Sequence, residues 1–314
     1  MSVGPLAAGL FDPEPFEPTP AAARARLERV RPEAYARTRN HLEGAVTQLS
    51  PYITHGLLPL HEVVGHLRAR HGLNLGHKLV QELGWRAWWH HAWRHRGEAI
   101  FTSLHAGPLP EAAYTRQLPE DVRTARTGVP VIDQAVRALY ASGYVHNHAR
   151  MWLASYLVHL RHVHWRCGAD WMHGHLLDGD LASNHLSWQW VAGTGSHKPY
   201  LFNAENVARY APPAWHSFGT EIDDSYEALE RRARGSPRRC SRERRPLHGL
   251  REPPARRGLA AAVRSLDAQE GPPARRPPRA AAPRAGRARH ARRTARCRHR
   301  ICCVVNPIVD AQQP

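Results

Sequence analysis

The chain has 314 residues and a formal charge of +17, but residues 231–300 alone hold 23 arginines against four acidic side chains, leaving residues 1–230 at a net charge of −1. The first 230 residues therefore read as a near-neutral globular segment, which excludes a chain-wide polycation wrapped on nucleic acid. Four of the five cysteines (Cys240, Cys297, Cys302, Cys303) fall in the Arg-rich part, with no paired CxxC spacing, basic-apolar leader or apolar run of ~18–20 residues. Neither a disulfide framework, a metal site nor a membrane span is expected, and the reading is a soluble, cytoplasmic protein.

In chain order, residues 1–20 are Pro-rich and predict a flexible, extended leader. From residue 21 to 230 the pattern is helical with Pro and Gly punctuation, and strand-like alternation is scarce, so the segment predicts one all-α domain. The run GHKLVQELGWRAWWHHAWRHRG puts Leu79, Glu82, Arg86, Trp89 and Trp93 at helical spacing, with Gly97 as the stop. VIDQAVRALYASG predicts a helix ending near Gly143, and NHARMWLASYLVHLRHVHW a third, with Met151, Ala154, Val158 and Trp165 along one side. All ten tryptophans lie between Trp85 and Trp215, and core packing explains most of them. The histidine runs HHAWRH and HNH give no complete ligand set. No Gly-rich loop follows a strand, so a nucleotide cofactor would not sit in a Rossmann unit. Residues 231–314, rich in Arg and Pro without apolar periodicity, predict disorder. The abrupt change near Arg231 favours a frameshift in GC-rich coding DNA over a basic nucleic-acid arm.

One stretch, DGDLASNHLSWQW at residues 178–190, combines carboxylates, an amide and two indoles. It does not stand alone. AVTQLSPYITHG (45–56), QELGWRAWWHH (81–91), TGVPVIDQAVRALYASGYVHNHARM (127–151) and HLLDGDLASNHLSWQWVAGTG (175–195) occur in this order. Together they resemble the flavin-binding half of the DNA photolyase/cryptochrome family, over roughly residues 30–210. The resemblance implies an all-α bundle holding FAD in a bent conformation.

Placed residue by residue, the resemblance makes Val46, Thr47, Gln48, Leu49 and Ser50 the turn that meets the FAD pyrophosphate, a sound anion site at a helix start. The local alternative is an N-cap by Thr47 or Ser50, and the two are compatible. Tyr35 would face the flavin and Arg39 the DNA. Glu82 and Trp85 would line the lesion pocket and Arg86 would approach the flavin; taken alone, Glu82 and Arg86 would be an ordinary i,i+4 pair. Asn147 and Met151 would face the pocket, with His148 where the family has a basic residue after the Asn. Arg150 would pair with Asp178. Asp178, Gly179 and Asp180 would lie along the flavin, and Asn184 beside its N5. Trp188 and Trp165 match the first two members of the family's tryptophan relay. The third position falls at about Ala112, and Tyr114, Trp152 and Trp171 are alternatives. Trp190 would wall the pocket. Glu82, Asn184, Trp165 and Trp188 are thus the catalytic candidates.

Departures temper these implications. Only some thirty residues precede the first flavin block, so no antenna chromophore is expected. The loop TGSHKPYLFNAEN shortens the pocket rim and loses an Arg, while Lys198 adds a charge. The implied activity is light-driven repair of pyrimidine dimers in damaged DNA by electron transfer from reduced FAD, in a monomer. Two alternatives stand beside it: a cryptochrome-like blue-light sensor working through a protein partner, which the near-neutral charge favours, and a remnant that keeps the bundle without chemistry.

Overall fold

A computed structural model describes residues 15–235, all within one unit of the chain spanning Met1–Glu243. Most of the expected leader and tail lies outside the described residues. The domain is all-α. Among the described residues there is no strand, only an isolated bridge between Thr115 and Val163.

The N-terminal third folds as α1 (Pro20–Glu28), α2 (Pro32–Thr38), α3 (Ser50–Thr54), α4 (Leu60–His71) and α5 (Lys78–Arg96). Thr19 caps α1 by accepting the Ala22 N–H, and prolines open α1 and α2, where a missing N–H costs nothing. Their apolar faces meet in a core built on Leu27, Leu49, Tyr52, Leu58, Leu67 and Leu79. After two 3-10 turns come α6 (Glu120–Arg123), α7 (Pro130–Ser142), α8 (Asn147–Ser155), α9 (Trp165–His175) and α10 (Leu181–Ala192), followed by α11 (Ala204–Tyr210) and α12 (Tyr226–Ala233). In α7, Val131, Ile132, Ala135, Val136 and Leu139 repeat at helical spacing and are buried. Gly143 ends it at φ 66°, a conformation few other residues adopt cheaply. α8 is buried from Met151 to Ser155, and with α9 and α10 it forms the second, larger core around Trp152, Tyr156 and Leu157.

α5 behaves differently. It is 19 residues long and packs on α10, α2 and α4, yet only Leu79 and Val80 are buried. Glu82, Trp85, Arg86, Trp89 and Trp93 are half-buried, so one long face of this helix stays partly open.

The third predicted helix, from Asn147 through Trp165, is not continuous. α8 passes into a π-turn at Tyr156–Leu160, His162 adopts φ 47°, and Trp165 opens α9 instead of closing α8. The break comes from outside the segment. The Thr115 N–H donates to the His162 carbonyl at 2.8 Å and the Thr115 carbonyl accepts from the His164 N–H at 2.8 Å, which pulls three residues out of helical register. No helix among the described residues is long and apolar enough to cross a membrane.

Candidate functional site

The segment between α9 and α10 organises the site. Asp178 and Asp180 are 4% and 6% exposed, and Gly179 between them has φ 31°. Asp178 receives two hydrogen bonds from the Arg150 guanidinium, at 3.1 and 2.8 Å, and one from the Ser50 hydroxyl at 2.7 Å. It thereby joins α8 to the start of α3. Asp180 caps α10 by accepting the Ser183 N–H at 2.8 Å. Its other oxygen meets Arg86 at 2.5 Å and His90 at 2.8 Å, both from α5. Arg86 also donates to the Thr54 hydroxyl at 2.8 Å. Burial alone would push both carboxyls up. Arg150 and Ser50 at Asp178, and Arg86 and His90 at Asp180, outweigh it and hold both below the usual carboxylate range. Charges this deep survive only when paired and hydrogen-bonded, as these are.

The turn Val46 to Ser50 lies on the α3 side of this junction. Gln48 has φ 51°, and the Arg26 guanidinium donates to its amide oxygen at 2.8 Å while stacking 4.4 Å over Phe16. A polar cavity of about 120 Å³ opens here, lined by Arg26, Arg29, Arg31, Val46, Thr47 and Gln48 among others. Neither Thr47 nor Ser50 caps α3. Leu49 stands at that position without a side-chain bond, and the Ser50 hydroxyl is turned to Asp178.

On α5, Glu82 and Arg86 do not pair with each other. Glu82 lies 3.4 Å from Arg39, while Arg86 goes to Asp180. Burial raises the Glu82 pKa, and its Oε1 is buried without a hydrogen-bond partner. Burial, reinforced by the nearby Glu82 charge, also raises Tyr35. The Trp85 and Trp89 rings lie 5.5 Å apart. On α8, the exposed Asn147 amide donates to the Met151 sulfur at 3.6 Å. His148 lies inside the core, stacked 5.1 Å from Tyr210 and 4.7 Å from Trp152, and burial lowers its pKa to about 3. Trp190 leans on Tyr200 at 5.8 Å.

Trp188 and Trp165 are both 3% exposed, on facing helices α10 and α9. Gly168 makes the approach of Trp188 to α9 possible. A Cβ there would sit 2.4 Å from the Trp188 ring, so a bare backbone lets the indole lie directly on α9, one turn beyond Trp165. Asn184 is buried, and its amide donates to the Ala169 carbonyl at 2.9 Å. Sequence reasoning missed three participants. His90, four residues after Arg86, shares the face that meets Asp180, a spacing hidden in the histidine-rich run. Gln189, between the two indoles, is fully buried and ties down residues 100–104 through Ile100, Thr102 and Leu104. Ser103, which accepts the Trp165 indole N–H at 3.1 Å, carries no local signal.

The buried double ion-pair junction, the half-buried aromatic face of α5, the buried Ser183 hydroxyl without a hydrogen bond and the buried indoles of Trp165 and Trp188 all belong to this one helical domain. Residues 79–217 match the family model for the FAD binding domain of DNA photolyase. Over that segment the chain carries the FAD-binding domain of the DNA photolyase/cryptochrome family. It is 36% identical over 155 residues to the deoxyribodipyrimidine photo-lyase of Streptomyces griseus, covering 48% of this chain and 33% of that protein. It is 29% identical to a cryptochrome DASH of Ostreococcus tauri over 70% of this chain and 41% of the relative. The crystal structure of a Synechocystis cryptochrome superposes with a TM-score of 0.56 at 27% identity, over 62% of this chain and 44% of that one. The chain thus spans less than half the length of each of these three relatives.

Proposed function

We propose that the chain binds FAD beside the half-buried face of α5, near α8 and α10, and uses it for light-driven splitting of pyrimidine dimers in DNA. The observation that carries this reading is the Asp178–Asp180 junction, which ties Ser50 to Arg86 and Arg150, the last two inside the segment matched as a FAD-binding domain. FAD, when bound and reduced, supplies a light-excited electron. The chain's residues do the rest. Val46 to Ser50 receive the pyrophosphate, with Tyr35, Arg86, Asn147, Asp178, Gly179 and Asp180 around the cofactor and Arg150 fixing Asp178. Asn184, its amide held by the Ala169 carbonyl, would set the polarity beside the flavin ring and so the protonation that selects the useful redox form. Glu82, whose pKa burial raises and Arg39 opposes, would meet the pyrimidines with its carboxyl. Trp85, Met151 and Trp190 wall a pocket for the extruded lesion, whose poor stacking lowers the cost of flipping. Arg39 would stand on the DNA side; His148, expected there too, is packed in the core against Tyr210 and Trp152 and cannot reach DNA. Trp165 and Trp188 would supply electrons to the cofactor.

A second reading, a FAD-binding light sensor acting through a protein partner, is favoured by the near-neutral first 230 residues and by the burial of His148, which weakens the basic surface that duplex binding uses. The test takes the purified full chain. A visible spectrum without flavin absorption after loading with FAD ends both readings. With flavin present, illumination of the reduced protein with dimer-containing oligonucleotide should restore thymine absorbance. No recovery despite normal photoreduction establishes the sensor.

A further inference from the structure

We propose that Ser103 and Glu111 form a proton exit for Trp165, so that this buried indole, once oxidised, is trapped as a neutral radical. The inference rests on the flavin reading above. Three groups stand in file. The Trp165 Nε1–H donates to Ser103 Oγ at 3.1 Å, and the Ser103 hydroxyl donates to Glu111 Oε1 at 2.6 Å. The two ends differ as a conduit requires: Trp165 is 3% exposed and the Glu111 side chain 57%. A cavity of about 350 Å³, lined by Ser103, Glu111, Tyr114, His164 and Trp165 among others, opens this file to solvent. The buried Trp152 makes the contrast. Its indole N–H donates to the Asn206 amide oxygen, which is no base.

The step balances as follows. Trp165 passes one electron to oxidised Trp188, the oxidant behind it being the photoexcited flavin. Loss of that electron makes the indole N–H strongly acidic. The Nε1–H bond breaks as the proton moves to Ser103 Oγ, and the proton Ser103 already carried moves to Glu111. The products are a neutral indolyl radical, an unchanged serine and a protonated glutamate, which releases its proton to water. Recombination then needs the proton back as well as the electron. Glu111 is ready to accept because the Ser103 hydrogen bond first, and then His164 at 3.5 Å and Arg116 at 3.7 Å, keep it ionised below the ordinary glutamate range. The device supplies what a third surface aromatic would otherwise provide.

Ser103→Ala and Glu111→Gln, made in the full chain, test this. After a laser flash on the flavin-loaded protein, transient absorption separates the cationic indolyl radical from its neutral form. Conversion of one to the other should slow at least about tenfold in both variants, and Ser103→Thr, which keeps the hydroxyl, should retain it. A flavin-free measurement runs beside it. Carbon-13 NMR titration of Glu111 should give a depressed pKa in the parent that rises in Ser103→Ala. An unchanged conversion rate in both variants overturns the proposal, as does a Glu111 titration indifferent to Ser103. Loss of conversion in Tyr114→Phe alone would move the terminus to that phenol and overturn it too. If the loaded parent forms no indolyl radical at all, the relay reading itself fails, an outcome distinct from these.

Discussion

Acid should unfold this domain well before its carboxylates are protonated. His146, His148 and His159 are buried, and burial lowers their pKa values to about 4, about 3 and about 4. The geometry agrees for His146, whose Nδ1 must be unprotonated to accept the His148 N–H and cap α8. In the unfolded chain each titrates near ~6.5. Between that value and about 4 the unfolded chain takes up protons that the native chain refuses, so stability falls as pH falls through this window. Between pH 7 and pH 5 each histidine then costs about 2 kcal/mol, or about 6 kcal/mol for the three. Glu82 works the other way, because burial raises its pKa and the folded state takes its proton first, while His162 and His164, both lowered by burial, add to the loss. A net loss of about 4–6 kcal/mol is a large share of a typical domain's stability. Guanidinium unfolding of the full chain followed by far-ultraviolet circular dichroism at pH 7, 6 and 5 measures it. His148→Phe, which fills the slot between Tyr210 and Trp152, should remove about a third of the slope. An unfolding free energy equal at pH 7 and 5 to within about 1 kcal/mol would refute the reasoning, and so would a parent-like slope in His148→Phe.

Asp178→Ala leaves the Arg150 guanidinium buried without its carboxylate and should cost about 3–5 kcal/mol in denaturant unfolding. Gly168→Ala forces a methyl against the Trp188 ring and should cost about 1–3 kcal/mol, with a changed near-ultraviolet dichroism that reports the displaced indole. Trp188→Phe should abolish photoreduction of the loaded protein while FAD stays bound. Unchanged photoreduction would show that electrons reach the cofactor by another path.

The helices were legible where the signal was local. α5 and α7 follow from apolar spacing closed by Gly97 and Gly143, and both stop where expected. The break between α8 and α9 was not legible, because no Gly or Pro lies between Asn147 and Trp165 and the strain at His162 is imposed by Thr115, about fifty residues upstream. The site shows the same divide. Glu82 and Arg86 stand at pairing distance along a helix, but tertiary partners of opposite charge, Arg39 and Asp180, win both. Buried pairs outcompete an exposed i,i+4 pair, whose worth is only a few tenths of a kcal/mol. Gln189 and Ser103 act through loops that periodicity does not describe.

The three residues Asp178, Gly179 and Asp180 fasten α3, α5, α8 and α10 at one point, and protein groups already surround both carboxylates. The charge balance at this point is therefore set by contacts among helices far apart in sequence. A change at one of these four helices is felt at once by the other three.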